Sequence, residues 1–250
     1  MSRARNKQFK ANLAQELRTA AETLKAARLI RDSSPLRLAA EACTGSKPTN
    51  NYWRYSFSDL EFIVGKTHLE KYRHTIPGNL VEIRVHLSVR AKGLCLDDDT
   101  DPFEELVVDC KIEGRKKNNS VPYISAWHLD RNEGDSDDAS QNFIHPLYHF
   151  QFGGDKLPRD WSYGRFLFVE SPRLVHPPLD AVLAIDFVLT NYFPVTWREI
   201  RADNVRYSRI IQQAQQRCWR PYAKSSSTAW LPGNHPWTAY SIWPQLIRRT

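Results

Sequence analysis

The chain has 250 residues, of which 41% are hydrophobic and 12% aromatic, and this is enough apolar surface to bury a substantial core. Lys and Arg outnumber Asp and Glu by 35 to 28, and the resulting net charge of +7 favours a polyanionic partner, either nucleic acid or an acidic protein surface. Four scattered cysteines argue against a disulfide scaffold, and the lack of an apolar leader and of any run of transmembrane length argues against export and membrane insertion. We therefore expect a soluble cytoplasmic protein.

Two helices are predicted in the N-terminal 45 residues. Leu13, Leu17 and Leu24 recur at helical spacing in a segment rich in Ala, Glu, Lys and Arg, which is typical of an amphipathic helix. The Ser-Pro pair that begins at Ser34 predicts the start of a second helix, because proline is preorganised for a first helical turn. Helical character then continues to Gly45.

An antiparallel sheet is predicted in the middle of the chain. Residues 50–55 are expected to form a turn, and capping-box spacing predicts a short helix at residues 58–61. Residues 81–89 alternate strictly between apolar and polar side chains, which predicts a half-buried strand. Further strands are predicted at residues 106–113, 123–131, 143–152 and 165–170. Consecutive strands without an intervening helix predict an α+β fold with a meander-like antiparallel sheet of about five strands.

Two helices and an irregular arm are predicted to follow the sheet. Residues 179–193 are apolar on nearly every side, which predicts a helix buried against the sheet. A second helix is expected from about residue 203 to 219, with Asp203 as its N-cap. Residues 224–250 are rich in Ser, Pro and Trp without periodicity, which is typical of a docked or partly flexible arm. The predicted division is a helical segment at 1–45, an α+β core at 46–223 and the arm at 224–250.

Histidines are concentrated in two of the predicted strands and in the loop that follows them. Period-two geometry places His128 and Asp130 on one face of the first strand, and His145 and His149 on one face of the second. If the two strands pair, the three imidazoles and the carboxylate converge on one surface. Histidine titrates near neutral pH and ligates metals, so this cluster is the candidate catalytic site, although histidines on a solvated sheet face are also common in structural roles.

Such a cluster supports two kinds of chemistry. It could serve as a general acid-base pair on a phosphodiester, or it could offer ligands to a divalent metal. We favour acid-base chemistry, because the sequence contains no recognised ligand spacing such as HExxH or paired CxxC, and the identity of any cofactor stays open. The cations expected to bind phosphate or nucleic acid are Arg131, Arg173, Arg115, Lys116 and Lys117.

His176 and Asp186 are candidate supporting residues. His176 lies in a proline-rich loop from which its ring could approach the cluster. Asp186 lies in an apolar run, where an isolated carboxylate carries a large desolvation cost, so we expect an ion pair with Arg173 or, less favoured, a hydrogen bond to one of the histidines. The tripeptide Asp109-Cys-Lys111 superficially resembles the DxK of metal-dependent nucleases, but strand alternation assigns both charged side chains to a solvated face.

The motifs HPLYHFQFGG, SPRLVHPP and LDAVLAIDFVL resemble those of uncharacterised bacterial proteins from mobile-element or defence neighbourhoods. They are also distantly similar to TumE-type toxins, which have a histidine-rich strand segment before a closing helix. The resemblance covers residues 123–189, about a quarter of the chain. It implies a toxin-like or defence activity and matches His128, His145 and His149 to the histidine-bearing positions. The long N-terminal helices and the tryptophan-rich C-terminal part depart from those small toxins.

The order of N-terminal helix, antiparallel meander, proline-rich loop and C-terminal helices is also similar to the ubiquitin-conjugating enzyme fold, including its inactive variants. That family's pattern requires a cysteine soon after an HPN-like motif, whereas the next cysteine after HPLYHF is Cys218. The similarity therefore implies a non-catalytic module that binds a protein partner. Two hypotheses follow: a bacterial toxin-like or defence protein that acts on nucleic acid through the histidine cluster, and a non-catalytic, protein-binding subunit of a multi-protein defence complex.

Overall fold

The computed structural model describes residues 3–45, 51–64, 80–96, 99–117, 122–131, 147–153 and 174–228, and every structural statement below concerns these residues. They form the predicted α+β fold. The helices of this part of the chain are α1 (Arg3–Ala26), α2 (Ser34–Gly45), α3 (Ala181–Tyr192), α4 (Pro194–Asp203) and α5 (Val205–Thr228). The strands are β1 (Tyr52–Val64), β2 (Leu80–Leu94), β3 (Phe103–Lys116), β4 (Tyr123–Arg131), β5 (Tyr148–Phe152) and β6 (Leu174–Val175). None of these helices combines the length and the apolar character that crossing a lipid bilayer requires.

The strands form one antiparallel sheet in which neighbours along the chain are also neighbours in space, in the order β1-β2-β3-β4-β5-β6. This order confirms the predicted meander. Strands β2 to β5 correspond to predicted strands, and the limits of β4 agree with the prediction residue for residue. The strand predicted at residues 165–170, and residues 143–146 of the second histidine strand, lie outside the described residues.

The short helix predicted at residues 58–61 is wrong, because this segment lies within strand β1. The turn expected at residues 50–55 is also wrong from residue 52 onward, because β1 begins there. The pairing of β1 with β2 shifts register between Phe57 and Leu60, and Asp59 adopts a φ of 58° at this bulge. A bulge inserts one extra residue into a strand and interrupts the alternation of its side chains. The interruption hides a strand whose other inward side chains, including Trp53 and Phe62, are fully buried.

The two predicted N-terminal helices are confirmed. Leu13, Leu17 and Leu24 are buried along one side of α1. Helix α1 packs on α2, and α2 packs on β1 at the edge of the sheet. A single hydrophobic core takes side chains from these helices, from the sheet and from the C-terminal helices.

Helix α3 covers one face of the sheet, as predicted for the apolar run. Asp180 caps its N-terminus by accepting a hydrogen bond from the Leu183 N–H at 2.9 Å. Trp127 of β4 donates its Nε1–H to the Tyr192 hydroxyl at 3.1 Å, and its ring meets Phe187 edge to face with 5.2 Å between centroids. We call this helix-covered side of the sheet the inner face, and the opposite side the outer face.

The last two helices differ from the prediction at their boundaries. Helix α4 is not predicted from the sequence. Helix α5 begins after Asn204, whose side chain accepts a hydrogen bond from the Tyr207 N–H at 3.0 Å, so the N-cap predicted at Asp203 is wrong by one residue. Residues 224–228 of the predicted arm continue α5, and residues 229–250 lie outside the described part of the chain.

The outer face carries charged side chains in ion pairs within and between strands. Arg84 of β2 binds Glu61 of β1 at 3.0 Å, and Lys111 binds Glu113 along β3 at 2.9 Å. Partly exposed ion pairs of this kind contribute little, about 0–1 kcal/mol each. They therefore make the outer face polar, whereas the inner face supplies the hydrophobic stability.

A buried ion cluster ties the first described helix to the last. Arg217 of α5 donates to both carboxylate oxygens of Glu16 in α1, at 2.9 and 2.7 Å, and to Asp180 Oδ2 at 2.5 Å. The side chains of Glu16 and Asp180 are only 4% and 2% exposed. Burial raises the pKa of Glu16, with a smaller contribution from Asp180, and together they outweigh the lowering effect of Arg217.

Candidate functional site

The pairing of β4 with β5 brings most of the predicted histidine cluster together on the outer face. In the antiparallel register Asp130 lies opposite His149, and His128 lies opposite Gln151. Three of the predicted catalytic residues, His128, Asp130 and His149, are therefore neighbours on one surface. The fourth, His145, lies outside the described residues.

The inner-face side chains of β4 and β5 dictate this orientation. Trp127 and Leu129 of β4 are buried in the core beneath α3. Because successive strand side chains point to opposite faces, burial of these two residues directs His128 and Asp130 outward. The aromatic inner-face residues of β5 orient His149 in the same way.

Asp130 lies between the two histidines. Its Oδ1 atom is 2.9 Å from His149 Nδ1, and its Oδ2 atom is 4.0 Å from His128 Nε2. The two imidazole rings meet edge to face, with 5.7 Å between centroids. A carboxylate placed in this way can orient an imidazole for proton transfer, or it can share a cation with both rings.

The three side chains of the cluster differ in their exposure to solvent. The His149 side chain is 3% exposed, that of His128 is 19% exposed and that of Asp130 is 31% exposed. His149 is therefore held in place by its surroundings, while Asp130 and His128 can meet a bound molecule.

Asp109 joins the cluster from β3. The register places Asp109 opposite His128 on the outer face, where directly opposed Cβ atoms lie about 4.5–5.5 Å apart. The prediction that Asp109 and Lys111 point away from the core is confirmed, since their neighbours Val108 and Cys110 are fully buried. The solvated face of β3 is, however, also the face of the histidines, and sequence alternation alone does not give the cross-strand register that makes them neighbours.

Arg131 does not accompany the histidines. It follows Asp130 by one residue and so points to the inner face, where its side chain is only 2% exposed. Its guanidinium donates to Asp101 Oδ2 at 3.3 Å and to the Glu104 carbonyl at 3.2 Å. This position corrects the expectation that Arg131 binds a phosphate beside the cluster.

The other predicted cations lie near the end of β3 or outside the described residues. Arg115 is on the outer face, 47% exposed, and 3.4 Å from Glu113. Lys117 follows it and is also exposed. The side chain of Lys116 and all of Arg173 lie outside the described part of the chain.

His176 lies on the inner side of the sheet. Its ring centroid is 5.7 Å from that of Phe150 and 6.0 Å from that of Phe187, and its Nδ1 atom is 2.6 Å from the Pro177 carbonyl oxygen. Burial lowers the pKa of His176 and outweighs the opposing hydrogen bond. The sheet therefore separates this imidazole from the cluster, which corrects the expectation of a supporting role there.

Asp186 has two neutral hydrogen-bond donors as partners. It accepts from Trp197 Nε1 at 2.9 Å and from the Tyr207 hydroxyl at 3.2 Å, both through Oδ1. Burial raises the pKa of Asp186 in spite of these hydrogen bonds. Asp186 therefore joins α3 to α4 and α5 instead of orienting a cluster histidine, and Arg173, its other expected partner, is outside the described residues.

The four cysteines are all free thiols, but they offer no ready nucleophile because all are buried. Burial raises the pKa of the Cys43 thiol to about 12. Burial also raises the pKa of Cys218 well above its ordinary value. A thiol that stays protonated is a poor nucleophile, so the chemistry of Cys218 differs from that of a thioester-forming cysteine.

Comparisons with known proteins add no assignment to this site. No protein-family model matches the chain, no curated protein matches it, and no solved structure matches it.

Proposed function

We propose that this protein cleaves phosphodiester bonds of nucleic acid at the cluster of His128, Asp130 and His149. The observation that carries the proposal is the convergence of two imidazoles and a carboxylate on the outer face of the sheet. Groups of this kind can take a proton from an attacking water and deliver one to a departing oxygen, directly or with the help of a bound cation.

The proposed reaction is hydrolysis. A bond forms between the water oxygen and phosphorus, and the bond from phosphorus to one sugar oxygen breaks. One proton of the water is transferred to the departing oxygen, so the products are a phosphomonoester and a hydroxyl group. No oxidant or further reactant is required.

The charge of the chain favours a polyanionic substrate. The net charge is +7, and Lys111 and Arg115 lie along the outer face of β3 with side chains 36% and 47% exposed. Arg115 is six residues beyond Asp109, or about 20 Å along an extended strand. A nucleic-acid strand lying along β3 would contact these cations while one of its phosphates reaches the cluster. Glu113 pairs with both cations, so each phosphate contact replaces an existing ion pair.

Cleavage of labelled single-stranded and double-stranded RNA and DNA by the purified full-length protein tests the proposal. Replacing His128 by Ala, or Asp130 by Asn, should lower the cleavage rate by about 100-fold or more, the typical contribution of a positioned acid-base group. His86→Ala is the matched control, because His86 lies on the same face in β2 and contacts Asp59 and Glu113 instead of the cluster. Undiminished cleavage by a folded His128→Ala protein, or the absence of any cleavage by the wild type, would contradict the assignment.

We further propose a bacterial toxin-like or defence role for this activity. Induced expression in a bacterial host should then slow growth for the wild type and for the His86→Ala control, but not for His128→Ala. Growth inhibition that survives loss of the cluster, together with a stoichiometric host protein that co-purifies with the chain, would favour the non-catalytic, protein-binding alternative instead.

A further inference from the structure

We infer that His128, Asp130 and His149 bind one divalent transition-metal ion, with Zn²⁺ as the reference ion. The substrate of such a centre rests on the proposed function, but its metal binding is measurable without any substrate. Coordination of a cation, and not proton transfer by free imidazoles, is then the chemistry of the cluster.

The three side chains bring candidate ligand atoms close enough for a metal centre. At metal–ligand distances of about 2.0–2.2 Å, two tetrahedral ligands lie roughly 3.3–3.5 Å apart. The observed separations are 2.9 Å between His149 Nδ1 and Asp130 Oδ1 and 4.0 Å between His128 Nε2 and Asp130 Oδ2. One ligand atom from each residue lies within 4.8 Å of those of the other two. Small side-chain rotations would bring all three to a common ion.

The contact between Asp130 and His149 is not a well-formed hydrogen bond. The atoms are 2.9 Å apart, but their alignment falls outside hydrogen-bond geometry. On the same face, His86 Nδ1 and Asp59 Oδ1 approach to 2.6 Å and do form an aligned hydrogen bond. A carboxylate that orients a catalytic imidazole accepts an aligned hydrogen bond from it. Two ligands of one ion need no aligned hydrogen bond between them, and the contact at Asp130 is compatible with this second case.

The surroundings of the cluster favour a dication. Two neutral imidazoles and one ionised carboxylate carry a formal charge of −1, and Asp109 lies beside His128 in the register. Metal-bound histidines commonly donate their second ring N–H to a carboxylate, and Asp109 is placed for that role. Strands β3 and β6 flank the two ligand-bearing strands, so the ligands stand on an ordered part of the sheet.

The ligand types indicate the class of metal. Two imidazole nitrogens and one carboxylate oxygen suit Zn²⁺ and its transition-metal neighbours better than Ca²⁺ or Mg²⁺. Three protein ligands leave a position for water, which is typical of catalytic zinc sites and not of structural ones. The Asp130 side chain is 31% exposed, so solvent can reach an ion bound at the cluster. A metal ion there would lower the pKa of its bound water and offset the phosphate charge.

Equilibrium dialysis of the chelator-treated, full-length protein against Zn²⁺, with elemental analysis of the bound metal, tests the inference. The wild type and His86→Ala should retain one ion that His128→Ala and Asp130→Asn lose, with affinity lower by roughly 100-fold or more. These two variants carry the test because their side chains are partly exposed, whereas replacement of the buried His149 perturbs packing. Co²⁺ in place of Zn²⁺ should give a visible spectrum that disappears in the same variants.

The outcomes separate the metal centre from the proposed cleavage. Zinc lost in His128→Ala, together with cleavage that chelator abolishes and Zn²⁺ restores, supports both proposals. Cluster-dependent zinc binding without cleavage of any nucleic acid supports the metal centre and overturns the proposed substrate. Equal zinc binding by wild type and His128→Ala overturns the metal centre. If cleavage then persists in chelator, the cluster acts by acid-base chemistry. If cleavage is absent as well, the proposed function is also overturned.

Discussion

Replacement of Arg217 by Met should destabilise the protein strongly. Arg217 is the cation of the buried ion cluster, and it makes three hydrogen bonds to Glu16 and Asp180. Methionine fills much of the space of the arginine stem but leaves two carboxylates, 4% and 2% exposed, without their cation. The loss of stability therefore measures the charge interaction and not the creation of a cavity.

The magnitude follows from the burial of the two carboxylates. Breaking a buried ion pair by removing one partner costs about 3–5 kcal/mol, because the remaining charge keeps its desolvation penalty. For a chain of this size, each 1 kcal/mol lowers Tm by roughly 2–4 °C. We therefore expect Arg217→Met to lower Tm by roughly 6–20 °C.

Urea unfolding followed by circular dichroism, with calorimetry for Tm, measures the effect. Arg209→Met is the control, because Arg209 is exposed on the same helix and its replacement changes the net charge equally. The control should stay within about 0.5 kcal/mol of the wild type. Adding Glu16→Gln and Asp180→Asn to Arg217→Met removes both stranded charges, keeps an N-cap side chain on α3 and should recover most of the loss.

Two results would refute this reasoning. One is a loss of stability in Arg217→Met that is no larger than the loss in the Arg209→Met control. The other is a triple variant that is as unstable as the single one, because the cost would then come from lost packing and not from buried charge.

Three other variants test separate parts of the structure. Because the pKa of Glu16 is raised, the native state binds the Glu16 proton more tightly than the unfolded chain does. The stability of the wild type relative to Glu16→Gln should therefore fall as pH rises from about 4.5 through the raised pKa of the folded state. Urea unfolding between pH 4 and 8 measures this trend, and a stability difference independent of pH would contradict it. Asp186→Ala leaves two donors without their acceptor and should cost about 2–4 kcal/mol in urea unfolding, whereas Asp186→Asn keeps one oxygen and should cost less than half as much. Asp109→Asn should weaken Zn²⁺ binding by roughly 10- to 100-fold in competition dialysis, and unchanged affinity would show that Asp109 does not support His128.

Period-two patterning predicts much of the fold because burial of one strand face repeats at a fixed spacing. Strand β4 is predicted residue for residue, since Trp127 and Leu129 alternate with polar neighbours between polar turns. Strand β1 is missed because the bulge at Asp59 breaks that alternation. The N-cap of α5 is misplaced by one residue because Asp203 and Asn204 are both capping residues, and only the backbone geometry distinguishes them.

For the candidate site, the sequence predicts the strand face on which each side chain lies, but not which side chains are neighbours across strands. Alternation places His128 and Asp130 on one face, and it equally places Arg131 on the other face, away from the cluster. The proximity of Asp109 to His128 depends on the register between β3 and β4, and a slip of one residue would reverse the face of every side chain in the strand. Such registers are set by many weak contacts across the whole sheet.

The bond between Glu16 and Arg217 spans 201 positions of the chain. At a synthesis rate of about 5–20 residues per second, the ribosome releases α1 roughly 10–40 s before it releases the arginine that α1 must meet. Until then the Glu16 carboxylate keeps its water, although α1 can already pack on α2. A nascent chain that stops before α5 therefore lacks the cation that compensates the Glu16 and Asp180 carboxylates.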